Sequence, residues 1–192
     1  MAEKKHDKEA IKSIEVFERQ TNRMKNLVDQ LLQMTAIDRK GTTFSIEDID
    51  VRDVIESACD DIAYIDTKHI TFEYSLQPTI IQANMNLIYI VINNLLSNAV
   101  KYSNEGAKIY VSCGEKDGKS YIRIQDEGCG IEKENISKIF ESFYREKKDR
   151  NAEGFGLGLS QAMKIAELYG GGIYVESTKN KGSIFTFFIP KP

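Results

Sequence analysis

From residue 3 to residue 39 the chain carries neither Gly nor Pro. Within that stretch Ile14, Phe17, Thr21, Met24, Val28, Leu31 and Thr35 recur three and four positions apart. This spacing lays them along one stripe of an α-helix. Leu27, Leu32, Met34 and Ile37 widen the stripe toward its C-terminal end, and Gly41 marks the stop. So broad an apolar face is not stable alone in water and calls for a partner helix, from this chain or another. The plainer alternative is a terminal helix folded back onto the rest of the chain.

Beyond Gly41 the periodicity changes and strands alternate with helices. Residues 43–50 read as a strand and residues 51–65 as an amphipathic helix, followed by short strands near 70–75 and 79–82. Residues 84–102 form a strongly apolar helix carrying Leu87, Ile88, Val91, Ile92, Leu95, Leu96 and Ala99. The stretches 108–113 and 121–125 alternate with period two and meet at Lys116-Asp117-Gly118, a hairpin signature. Residues 158–169 resume as a helix stopped by Gly170, Gly171 and Gly172. Strands 173–177 and 183–189 close the chain around a polar turn at 179–182. Mixed strands with three core helices predict an α+β fold, a two-layer sandwich of one mixed sheet covered on one face, preceded by the long N-terminal helix.

Composition narrows the function classes. With 192 residues, 41% hydrophobic and 29% charged, the chain can bury a core. A net charge of −3 gives no electrostatic reason to expect nucleic acid. No run of about 18 apolar residues and no signal peptide is present, so any membrane contact is expected through parts outside these residues. Cys59, Cys113 and Cys129 fit neither a disulfide framework nor a zinc spacing, which points to a reducing, cytoplasmic setting. His6 and His69 lack companions at metal-ligand spacing and read as solvated or capping residues. Two phosphate-binding look-alikes also fail. Gly114-Glu-Lys-Asp-Gly-Lys-Ser is one residue short of a P-loop and lies in a hairpin turn, and Gly128 and Gly130 lack the third glycine of a dinucleotide fingerprint.

Four segments carry candidate chemistry. On the apolar helix, Asn94, Asn98 and Lys101 are four and three apart and share a face. Amides on the inner side of such a helix are costly unless partnered. Two amides and an ammonium in line suit a phosphate chain with Mg²⁺, which takes oxygen ligands. A solvent-facing polar strip is the plainer reading, preferred for Asn93, one position off the stripe. Asp126-Glu-Gly-Cys-Gly-Ile ends a strand with one carboxylate able to accept from an amine, beside two glycines that permit close backbone approach. Phe140-Glu-Ser-Phe-Tyr-Arg closes a short helical segment, with Phe140 and Phe143 as core anchors and Arg145 left to meet an anionic group. Gly154-Phe-Gly-Leu-Gly-Leu-Ser runs directly into a helix, whose N-terminal N–H groups attract phosphate.

In this order the four segments resemble the catalytic domain of sensor histidine kinases, which has the Bergerat ATP-binding fold shared with DNA gyrase, MutL and the large heat-shock chaperones. Glu176-Ser and Lys181-Gly-Ser-Ile-Phe-Thr resemble its closing hairpin. The resemblance spans about residues 43–190 and implies ATP and Mg²⁺ as ligands. It implies Asn98 as metal ligand, Asn94 beside the phosphates, and Lys101 on phosphate. Tyr102 would pack near the adenine, Asp126 would accept the adenine amino group, Gly128 and Gly130 would shape the base pocket, and Ile131 belongs to the expected nucleotide-binding set. Arg145 would approach the γ-phosphate, Tyr144 joins the expected nucleotide-binding set, and Gly154, Gly156 and Gly158 would let residues 144–158 act as a mobile lid. Leu157 and Leu159 join the expected nucleotide-binding set, more as core anchors than as contacts. Phe155 departs from the small residue expected there.

The stretch Arg23-Met-Lys-Asn-Leu-Val-Asp-Gln-Leu-Leu resembles the second helix of that family's dimerisation hairpin. The expected division is therefore 1–40 as an incomplete phosphotransfer hairpin and 43–192 as the ATP-binding domain. His6-Asp7-Lys8-Glu9 imitates the phosphoacceptor motif, but Pro is absent and His6 stands only 17 residues before Arg23. The phosphoacceptor segment is thus expected to be missing, so these residues alone would not autophosphorylate. The implied partners of the parent are a response regulator, a histidine-bearing hairpin helix and a second copy of itself. Rival readings are an ATP hydrolase, which would place a Glu where Asn94 stands, a serine kinase of the same fold, and a nucleotide-dependent interaction module.

Overall fold

The computed structural model describes residues 2–39, 43–146 and 154–191, and the chain divides into two units. The first holds helix α1, Ala2–Asp38. Its Thr21 and Thr35 hydroxyls donate back to the carbonyls of Phe17 and Leu32, which lets two threonines sit inside a helix. Ile14, Phe17, Met24 and Val28 of the predicted stripe stay exposed, Phe17 at 73%. The predicted stop at Gly41 lies outside the described residues.

The second unit contains β1 (Glu47–Asp50), α2 (Val51–Ile65), β2 (Thr71–Leu76), β3 (Ile80–Ala83), α3 (Met85–Tyr102), β4 (Lys108–Lys116), β5 (Lys119–Asp126), α4 (Gly158–Leu168), β6 (Gly172–Thr178) and β7 (Gly182–Pro190). Two helix starts are written in the sequence. Asp50 caps α2 by accepting from the Arg52 amide at 3.0 Å, and Asn84 caps α3 by accepting from the Leu87 amide at 3.2 Å. The β4–β5 hairpin turns on Asp117 and Gly118, both at positive φ, as a tight two-residue hairpin requires.

Five strands form one mixed sheet in the order β2-β4-β5-β7-β6, with β2 and β4 parallel and the other pairs antiparallel. Alternate residues turn inward: Ile109, Val111 and Cys113 of β4, Ile122 and Ile124 of β5, and Phe185, Phe187 and Ile189 of β7 are all buried. The buried faces of α2, α3 and α4 complete the core, with α3 contacting α2 and α4 on either side. This is the predicted α+β two-layer sandwich.

Two expectations are corrected. Strand β1 begins at Glu47, not at residue 43, and β1 with β3 forms a separate two-stranded pair outside the main sheet. The reason is burial: Ile49 and the opposing Ile81 are covered, whereas Ser45, Ile46 and Glu47 are exposed and gain nothing from a longer strand. Helix α4 also ends one residue early, at Leu168, because Gly170 adopts positive φ and its amide caps Glu167.

Candidate functional site

On β5, Ile122, Ile124 and Asp126 alternate toward the core, so the strand ends by burying a carboxylate. Such a group is costly without hydrogen bonds. The Gly128 and Ser183 amides donate to its Oδ1 at 2.8 and 3.2 Å. Burial pushes the Asp126 carboxyl above its ordinary value, and the two amide bonds oppose that shift. Both bonds fall on Oδ1, which leaves Oδ2 as an acceptor for another donor.

The loop after Asp126 is fixed by backbone contacts that exclude side chains. A Cβ on Gly128 would stand 2.4 Å from the Tyr102 carbonyl oxygen, and one on Gly130 would stand 2.1 Å from that of Thr178. The Cys129 amide donates to Tyr102 O at 3.3 Å and its carbonyl accepts from the Asn180 amide at 2.8 Å. The Ile131 amide donates to the Ser177 hydroxyl at 2.8 Å. The loop is thus held between the end of α3 and the β6–β7 hairpin.

Helix α3 presents Asn94, Asn98 and Lys101 on one face, each half-buried. The Lys101 ammonium stands 5.0 Å from the Tyr102 ring centroid. Asn94 Nδ2 donates to Gln161 Oε1 at 3.3 Å, and a Cβ on Gly158 would come within 2.8 Å of Asn94 Oδ1. The face of α3 therefore abuts the first turn of α4. No side chain caps α4 at this end, a favourable arrangement for an anion at its N-terminus.

The last element is the segment leading to α4. After a 3₁₀ turn at Lys133–Asn135, the chain turns again and places Tyr144 and Arg145 in half-buried positions. The Phe143 amide donates to the Gly156 carbonyl at 2.9 Å, and Asn135 donates to Glu146 at 3.0 Å. Phe143 is not the core anchor expected: its φ is +66° and it is 59% exposed. The left-handed turn that lets its amide meet Gly156 swings the ring outward. Leu157 is a core anchor, buried beneath α4, whereas Leu159 is half-buried. Gly154 and Gly156 both take positive φ. The middle of the expected lid, residues 147–153, lies outside the described residues.

The second unit thus brings together Asp126, Gly128, Gly130 and Ile131 with Tyr102, and Asn94 with Gly158. Sequence reasoning overlooked Gln161, Ser177 and Ser183. Gln161 had a usable signal, being three residues after Gly158 and therefore on the same side of α4. The two serines lie in the segments that resemble the closing hairpin, but their bonds to Ile131 and Asp126 had no signal, because those partners are 46 and 57 residues away.

These features lie in one α+β domain. The family model for histidine kinase-, DNA gyrase B-, and HSP90-like ATPases matches residues 83–192. Sensor histidine kinase WalK of Bacillus subtilis is 34% identical over 91% of this chain and 30% of its own length. Sensor protein RprX of Bacteroides fragilis is 34% identical over 91% of this chain and 35% of its own. Among solved structures, the nucleotide-free catalytic domain of histidine kinase ThkA aligns with a TM-score of 0.68 at 28% identity, covering 77% of this chain and 97% of that one. Acinetobacter baumannii histidine kinase AdeS aligns with a TM-score of 0.75 at 25% identity, covering 90% and 80%. The chain belongs to this ATPase family, on its histidine kinase branch. It spans about a third of the length of the curated relatives it matches.

Proposed function

We propose that residues 43–192 bind ATP with Mg²⁺ and act as the catalytic part of a sensor kinase. That kinase would transfer the γ-phosphoryl of ATP to a histidine of a dimerisation hairpin, for relay to a response regulator. The observation that carries this reading is the Asp126 carboxylate, whose Oδ1 takes both backbone amides while Oδ2 keeps its acceptor capacity. A buried acceptor beside two side-chain-excluding glycines fits the amino edge of adenine. Gly128, Gly130, Ile131 and Tyr102 frame the base. Asn98 is assigned to Mg²⁺, with Asn94, Lys101, Tyr144 and Arg145 along the phosphates and Gly154, Gly156, Gly158, Leu157 and Leu159 in the lid and its root. Bound Mg²⁺ supplies charge neutralisation on the phosphates, the main demand of phosphoryl transfer.

The neighbourhood of Asn94 supports transfer over hydrolysis. A hydrolase needs a proton acceptor for water, and Asn94 offers an amide bonded to another amide, Gln161. The exposed stripe of α1 supports residues 1–40 as one helix of a hairpin that pairs with a second helix and a second copy of the parent. In that arrangement the acceptor histidine belongs to the hairpin, and these residues by themselves bind ATP without labelling themselves. Calorimetry with ATP and GTP in Mg²⁺ tests the base assignment: ATP should bind at least about tenfold more tightly, the discrimination expected where a polar site rejects a base lacking the matching donor. Equal affinities would remove it.

A further inference from the structure

Lys68 lies in the loop between α2 and β2, remote in sequence from the four segments that carry the nucleotide chemistry. Its ammonium donates to three carbonyls at the end of α3: Val100 at 2.9 Å, Lys101 at 2.7 Å and Ser103 at 2.8 Å. The terminal carbonyls of a helix lack intrahelical partners and carry its partial negative charge. A lysine suits this place because it brings three rotatable donors and a compact positive charge on a long stem.

The loop is built to hold that side chain in place. The Asp66 carboxylate accepts from the Lys68 and Ile70 amides at 2.9 and 2.7 Å. Between them His69 takes a φ of +55°. The Lys68 carbonyl accepts from the Gly106 amide at 2.8 Å, tying the loop to the residues that follow α3.

One carbonyl at this helix end is left for the site. Tyr102 O accepts from the Cys129 amide, and it is the atom a Cβ on Gly128 would strike. The glycine loop that frames Asp126 is therefore seated on the helix end that Lys68 holds from the opposite side of the sequence. We propose that Lys68 is a positioning residue for base recognition, fixing the C-terminal turn of α3 so that Tyr102 O sets the Asp126–Gly130 loop. This rests on the ATP-binding reading above.

The test compares wild type with Lys68→Met, Lys68→Gln and Lys68→Arg. Melting temperature is measured alongside calorimetric affinities for ATP and for inosine triphosphate, which lacks the adenine amino group. Lys68→Met should weaken ATP binding by about tenfold, the effect of losing one charge-assisted bond's net worth, and weaken inosine triphosphate binding far less. Lys68→Arg should restore much of the ATP preference, because a guanidinium also donates to several carbonyls. A lower melting temperature with an unchanged ratio between the two nucleotides, measured well below the transition, would overturn the proposal and leave Lys68 a structural cap. Should Lys68→Met not fold, the Gln and Arg variants carry the same comparison. If wild type itself binds no ATP, the functional reading fails and this one with it. If wild type binds ATP and all variants keep its ratio, only this one fails.

Discussion

Asn94 on α3 and Gln161 on α4 are joined side chain to side chain, Nδ2 to Oε1 at 3.3 Å. The bond links the helix assigned to the metal and phosphates with the helix whose uncapped N-terminus follows the glycine segment. Gln161 is buried, so its amide fixes which way the Asn94 amide points. The remaining Asn94 oxygen lies on the Gly158 side, where an added Cβ would meet it.

Gln161→Ala should therefore act on phosphate binding and leave base recognition alone. Removing the acceptor lets Asn94 rotate, at a cost of about 1 kcal/mol in ATP affinity, while the ATP-to-GTP ratio stays fixed. A double-mutant cycle with Asn94→Ala should show coupling of similar size. Additive effects within error would mean that the bond does not orient Asn94.

Asp126 makes nucleotide affinity and stability respond to pH in opposite directions. Its carboxyl is held above the ordinary value of 3.8 by burial. Between that value and the raised one, the folded chain keeps a proton that the unfolded chain has lost. Stability in that window falls as pH rises. Adenine recognition needs the charged acceptor, so ATP affinity should fall as pH drops through the raised value. Asp126→Asn should flatten both profiles and weaken ATP selectively, since its amide can present NH₂ where an acceptor is needed. Urea midpoints and calorimetry between about pH 3 and 7, bracketing the ordinary carboxylate range, would show it. A wild-type ATP affinity that is flat over that range would contradict the assignment.

Two glycines separate site geometry from backbone strain. Gly128→Ala would drive a Cβ to 2.4 Å from a backbone oxygen, with no flexible side chain to give way. The loop must shift, which should abolish measurable ATP binding and destabilise the fold by about 1–3 kcal/mol. Gly118→Ala meets nothing within 4 Å and pays only for its φ of +71°. That costs about 1 kcal/mol and leaves ATP binding intact. Thermal melts and calorimetry on both variants distinguish the two effects. Normal ATP binding by Gly128→Ala would show that the loop is not seated on Tyr102.

What the sequence revealed and what it concealed follow from the range of the interactions. Helix α3 was legible because its apolar positions and its polar stripe are local, although its first residue proved to be the Asn84 cap rather than part of the helix. The β4–β5 hairpin was legible because Asp117-Gly118 encodes its own turn. The Ser183 partner of Asp126 was not, because it is 57 residues away and reaches the carboxylate only through the β5–β7 register. Lys68 was hidden for the same reason, standing more than 30 residues before the carbonyls it holds. Phe143 misled because an aromatic residue ordinarily signals burial, whereas a left-handed turn there serves the backbone bond to Gly156. The separate β1–β3 pair was missed because strand alternation reveals period but not pairing partner.

The 192 residues should bind ATP yet neither label themselves nor hydrolyse it at an appreciable rate. Transfer requires a histidine in line with the γ-phosphate, and much of the rate comes from that geometry. His69 is exposed in a loop clamped by the Asp66 carboxylate and by the Gly106 amide. Moving it to a nucleotide would break those bonds and release Lys68 from α3. His6 lies in α1, without the Pro that follows a phosphoacceptor histidine in the resembled family. Hydrolysis lacks a carboxylate at Asn94, and an amide does not accept a proton near neutral pH. Incubation with γ-labelled ATP should leave the protein unlabelled and release phosphate slowly, and an added histidine-bearing hairpin protein should take up the label. Acid-labile label on the chain that disappears in His6→Ala would refute this and make His6 the phosphoacceptor.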